Sequence, residues 1–261
     1  MLVHGFFGKL PREGDFVDRG WLPGARDGLD RLLQEAIAHV IEASASTKET
    51  LEQAPDLALS FRPGVLAEEG VVALVVPSRD RVGRSFPLCA GVQWSAEEPA
   101  TGGWPPVAYA RAVGACVRRA MEEGADPDAL LDALVSLGGP REFEPAFTPG
   151  SGDETVPRIA ADAMLLRMAG PPSALSAPAA ALCAVLTEAS DLLGMRIAAG
   201  GDVQDLFVCR QLDARECLAA MFDGQWIAHG WRGLERPATP GDAADLHQVD
   251  DDATHAGPAG N

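Results

Sequence analysis

Val71-Val72-Ala73-Leu74-Val75-Val76 is an unbroken apolar run of six residues. A strand with one wet face alternates apolar and polar side chains, and this run does not. Its β-branched content favours a strand, and a strand without alternation is covered on both faces. The run therefore predicts a sheet with helices on both sides. Working outward, Leu57 to Arg62 and Phe86 to Gln93 have the same short, apolar, β-branched or aromatic character. Pro63-Gly64 and Glu69-Gly70 are turn signals between the first two strands. Val3 to Leu10 reads as a further strand, with Phe6 and Phe7 on opposite faces.

Helical periodicity supplies the covering layers. Leu29, Leu32, Leu33, Ala36, Ile37, Val40 and Ile41 form one apolar stripe, predicting a helix over about 28–43 that Asp27 caps. A second helix is expected over about 106–122, with Ala110, Val113, Gly114, Val117, Ala120 and Met121 inward. Asp126-Pro127 is an N-cap followed by a proline at the first helical position, and opens a third helix to about Leu137. Farther on, Arg158 to Met168 and Ser176 to Leu193 read as helices. Met195 to Ala199 and Asp205 to Arg210 read as a strand pair. Asp213 and Glu216 give a capping-box pattern before a helix that buries Leu218, Met221 and Phe222. The expected fold class is α/β, a mixed sheet with helices packed on both faces. One domain over 1–235 is expected, with a loose boundary at 140–157. Residues 236–261 read as a disordered acidic tail: from Pro237 on there are five aspartates and no lysine or arginine.

The chain of 261 residues carries a net charge of −17, which disfavours nucleic acid and anionic lipid as partners. No apolar run is long enough for a membrane span, and no signal peptide is evident. The five cysteines are odd in number and widely spaced, which suits reduced thiols in a cytoplasm. The histidines lack metal-ligand spacing, and no metal or cofactor is expected. Gly5-Phe6-Phe7-Gly8-Lys9 is too short for a phosphate-binding loop and continues with Leu10. Gly83-Arg84-Ser85-Phe86-Pro87 approaches a nucleophile elbow, but proline replaces its last glycine.

Two stretches remain. Gly5 to Trp21, GFFGKLPREGDFVDRGW, runs a short strand into a charged turn stiffened by Gly8, Pro11 and Gly14. Pro77 to Leu88, PSRDRVGRSFPL, joins two apolar strands yet carries Arg79, Arg81 and Arg84 around Asp80. Two readings fit the second stretch. The guanidiniums hold an anion or an acidic partner segment, or Asp80 and Asp15 pair with them to fix the loop. The candidate functional residues are Lys9, Arg12, Asp15, Ser78, Asp80, Arg81 and Arg84, and the two stretches are expected to lie side by side as one surface.

Together these stretches resemble the TagF/ImpM family of type VI secretion accessory proteins. The carrying motifs are GFFGKLP at 5–11, GDFVDRG at 14–20 and PSRDRVGRSFPL at 77–88. Asp205 to Trp231 resembles the family's closing strand, helix and tryptophan segment. The resemblance implies a cytoplasmic, non-enzymatic regulator that holds secretion off after translation by binding a forkhead-associated (FHA) scaffold protein. It also implies an α/β sandwich. The stand-alone form without a fused phosphatase is expected, because about 30 residues follow Trp231, too few for another domain. The alternative is a small-ligand or anion-binding enzyme that uses the 5–21 and 77–88 loops.

Overall fold

A computed structural model describes residues 2–43, 47–94, 107–143, 156–160, 163–167, 191–198, 203–209, 215–226, 228–229 and 232–233. The strands are β1 (Leu2–Lys9), β2 (Phe16–Arg19), β3 (Asp56–Phe61), β4 (Gly70–Val76), β5 (Leu88–Trp94), β6 (Val156–Ala160), β7 (Ala163–Arg167), β8 (Leu192–Ile197), β9 (Val203–Cys209) and β10 (Arg232–Gly233). The helices are α1 (Pro23–Ala43), α2 (Thr47–Glu52), α3 (Val107–Glu123), α4 (Pro127–Ser136) and α5 (Arg215–Asp223). The strands join one sheet in the order β10-β6-β7-β9-β8-β3-β4-β5-β1-β2.

β4 decides the layering, as its sequence predicts. All seven of its residues are buried. Val72, Leu74 and Val76 pack with Tyr109, Val113 and Val117 of α3 and with Leu130 and Leu134 of α4. Val71, Ala73 and Val75 face the other way, toward Leu29, Leu33 and Ala36 of α1 and Leu218 and Met221 of α5. The period of two in a strand sends alternate side chains into separate cores. Phe6 and Phe7 divide between the same two layers.

The sheet departs from the mixed arrangement expected. Every described pairing is antiparallel. β3, β4 and β5 follow one another with no helix between them, so each returns beside its predecessor without a crossover. Burial on both faces comes from helices elsewhere in the chain.

The helices bear out most of the predicted faces. α1 begins at Pro23, earlier than expected; proline suits a first helical position. Asp27 therefore lies inside the helix, where its carboxylate accepts from Arg26 at 2.7 Å. Ile41 ends up exposed rather than in the stripe. Asp126 caps α4, its carboxylate accepting from the Asp128 amide at 2.8 Å. The helix expected at 158–168 is instead the pair β6 and β7. Pairing of β7 with β9 overrides the helical preference of its Ala, Met and Leu residues. Leu192 and Leu193 likewise belong to β8, and Asp191 before them is a bend; residues 176–190 of the expected helix, most of the 140–157 segment and the 236–261 tail lie outside the described residues. The strand pair expected near 195–210 is present as β8 and β9.

Candidate functional site

The two charged stretches meet at one edge of the sheet. β1 pairs with β5, placing Phe7 opposite Cys89, so the end of β1 lies beside the end of the 77–88 loop. Gly8 makes that approach possible. Its φ is +132°, and a Cβ there would sit 2.3 Å from the Pro87 carbonyl oxygen. The expected side-by-side arrangement is therefore a feature of the fold.

Asp80 is the hub. It is 3% exposed, and both carboxylate oxygens are fully engaged. Oδ1 accepts from the backbone amides of Val82 at 3.0 Å and Arg84 at 2.9 Å. Oδ2 accepts from Lys9 Nζ at 3.0 Å and Arg84 Nε at 2.6 Å. Burial opposes the charge, but bonds from the Arg84 backbone and side chain and from Lys9 outweigh it. They hold the carboxyl well below the usual carboxylate range. The hub ties the two stretches together. Lys9 Nζ also donates to the Arg84 carbonyl at 3.2 Å, Arg84 Nη2 to the Gly14 carbonyl at 2.8 Å, and the Arg81 amide to the Glu13 carbonyl at 3.0 Å. Ser78 Oγ donates to the Lys9 carbonyl at 2.6 Å.

The internal-network reading of this loop thus holds, with different members. Lys9 and Arg84 pair with Asp80. Asp15 takes no part; its Oδ1 accepts from the adjacent Phe16 amide at 2.9 Å on the surface. Arg12 is exposed, and its guanidinium lies against Gly124 at the end of α3. Arg79 and Arg81 are exposed, and among the described residues the side chains of Arg12, Arg79 and Arg81 have no carboxylate partner. The fold therefore separates the candidates into a clamp, in which buried Lys9 and Asp80 are closed over from the surface by Arg84 with Ser78 beside them, and an outward cationic rim.

Two aromatic residues escaped the search for chemistry because they carry none. Phe16 and Phe86 stack edge to face with centroids 4.9 Å apart, and Lys9 Nζ sits 5.6 Å from the Phe16 centroid. Their signal was present: each is the aromatic residue of its motif, in GDFV and in SFPL.

A cavity of about 400 Å³ opens beside the clamp, lined by Pro11, Pro77, Ser78, Arg79, Arg118 and Met121 among others. Arg118 is ion-paired with Asp56, whose carboxyl burial pushes up despite that partner. Ser85 Oγ donates to Glu52 at 2.9 Å. In this arrangement Asp80 has no lone pair to offer a substrate, and the hydroxyls of Ser78 and Ser85 are committed.

Fold and site together define an α/β sandwich with a hydrogen-bonded, arginine-rimmed edge built from two motif segments. The chain belongs to the TagF family: residues 5–137, which include both segments, match the TagF N-terminal domain, type VI secretion system-associated. The crystal structure of PA0076 from Pseudomonas aeruginosa PAO1 is similar, with a TM-score of 0.58 over 91% of this chain and 99% of that one. At 24% identity that likeness speaks for the fold. No curated protein matches the chain. Among the described residues, no helix is long and apolar enough to cross a membrane.

Proposed function

We propose that this type VI secretion-associated chain is a cytoplasmic regulator that binds the FHA-domain scaffold of the apparatus and holds secretion off after translation. It acts by occupancy, without chemistry of its own. The observation that supports this reading is the division of labour at the site. The groups that could do acid–base or nucleophilic work are consumed in fixing the loops, while Arg12, Arg79 and Arg81 face outward. A basic rim on a chain of net charge −17 suits an acidic surface on a partner. Deleting the gene in a strain with an active cluster is expected to raise secretion. Complementation with an Arg79→Glu/Arg81→Glu chain is expected to leave it raised. Unchanged secretion after deletion contradicts the reading.

The cavity supports a second reading, a small-ligand or anion-binding enzyme, because it brings Ser78 and Arg79 to one opening. Ser78 would first have to release the Lys9 carbonyl. A thermal-shift screen with phosphate, nucleotides and sugar phosphates tests it: stabilisation abolished by Arg79→Ala supports a ligand site, and no response to any compound removes it.

A further inference from the structure

We propose that Phe16, Phe86 and Val82 form the apolar anchor of the docking surface, and that the partner contributes an acidic segment bearing an apolar side chain. The inference rests on the binding role proposed above and specifies where and with what chemistry that binding occurs. Phe16 is 43% exposed although it is a large aromatic, and Val82 is 66% exposed at the loop tip. Exposed apolar groups at a charged rim are the composition of an interface centre, where aromatic residues and arginine are enriched.

Contacts within the chain position the patch before any partner arrives. Phe16 opens β2, an edge strand of the sheet, and contacts both the Phe86 ring and the Lys9 ammonium. Val82 is placed by its own amide, which bonds to buried Asp80. Arg81 carries charge to the same place: a Cβ on Gly14, two residues from Phe16, would lie 3.3 Å from its guanidinium. The clamp therefore serves to present side chains that are costly to leave in water. Such preorganisation favours binding because little side-chain entropy is lost on contact.

The charge chooses the occupant. Arg79 and Arg81 are exposed and, among the described residues, free of carboxylate partners. A cationic or purely polar segment would leave either the guanidiniums or the aromatic pair unmatched. An acidic segment with a leucine or aromatic residue matches both.

The test uses the full chain and fluorescein-labelled synthetic peptides, read by anisotropy. One peptide is rich in aspartate and glutamate around a pair of leucines; a second has lysines for the acids; a third has serines for the leucines. The first is expected to bind, to weaken as salt rises, and to lose about tenfold in affinity with Phe16→Ala. Val82→Glu, on an exposed tip where folding is not at stake, is expected to lose as much. Equal binding of the acidic and lysine peptides, or unchanged binding to Val82→Glu, overturns the proposal. A parallel measurement with the purified FHA scaffold separates the two claims. If the scaffold does not bind while the acidic peptide does, the choice of partner is wrong and the patch stands. If the scaffold binds wild type and Val82→Glu alike, the patch is wrong and the choice of partner stands.

Discussion

Replacing Gly8 with alanine should part the two motif segments, and Gly83 provides an internal control. Both glycines have positive φ, +132° and +83°. For an L-residue a positive φ of this kind costs about 1–3 kcal/mol. At Gly83 nothing lies within 4 Å of the added Cβ, so the cost ends there. At Gly8 the Cβ would sit 2.3 Å from the Pro87 oxygen and 2.8 Å from Leu88 Cα, both backbone atoms that cannot swing aside. Ordinary contact begins at 3.4 Å, so the β1–β5 edge must open by about 1 Å. That stretches the ladder next to the Phe7–Cys89 pair beyond hydrogen-bond range, at about 1–3 kcal/mol for each buried group stranded. Gly8→Ala should therefore cost at least about 2 kcal/mol more than Gly83→Ala. In urea unfolding followed by tryptophan fluorescence, the two midpoints should differ by about 0.7 M at a slope of about 3 kcal/mol per M. Midpoints that coincide would refute the close approach of the two segments.

Other perturbations probe the clamp and the core. Lys9→Met and Asp80→Asn should each destabilise the fold, and the double variant should be less destabilised than the sum of the two singles, because Asp80→Asn leaves the buried Lys9 ammonium without its counter-charge while Lys9→Met removes one of the two cations on Asp80; chemical denaturation of the four proteins checks this. Asp80 also sets a pH dependence. Its folded carboxyl lies below the unfolded value of about 3.9, so its stabilisation is full above about pH 5 and is lost as pH falls toward the folded value. The difference in urea midpoint between wild type and Asp80→Asn should therefore shrink from pH 7 to pH 3, and parallel curves would contradict the depressed ionisation. Leu74→Ala, 2% exposed under α3, should cost about 2–5 kcal/mol in thermal or urea unfolding, whereas Val135→Ala on the exposed face of α4 should stay within about 0.5 kcal/mol of wild type.

The layers were legible where one element sees one environment. The uninterrupted run Val71 to Val76 can be satisfied only by apolar cover on both sides, and both clusters supply it. Strand direction was not legible in the same run, because burial on both faces is common to parallel strands and to antiparallel ones closed by distant helices. Residues 158–167 read as helical because Ala, Met and Leu favour a helix locally; their pairing with β9 is a long-range fact with no local trace. At the site, the meeting of the two stretches could be inferred from complementary charge. Which charges meet could not. Asp15 and Asp80 look equivalent as letters, yet one is exposed beside Phe16 and the other is sealed under Lys9 and Arg84. Phe16 and Phe86 were passed over because the exposure of Phe16 and the contact between the two rings, rather than residue type, make them notable.

The most direct test of the account is recovery of the FHA scaffold with affinity-purified chain from cells expressing the secretion cluster, comparing wild type with Arg81→Glu. The account predicts that wild type retains the scaffold, and that Arg81→Glu loses it while keeping the wild-type urea midpoint, because the Arg81 side chain lies on the rim outside the clamp. Absence of the scaffold from the wild-type eluate, or its undiminished recovery with Arg81→Glu, would contradict it.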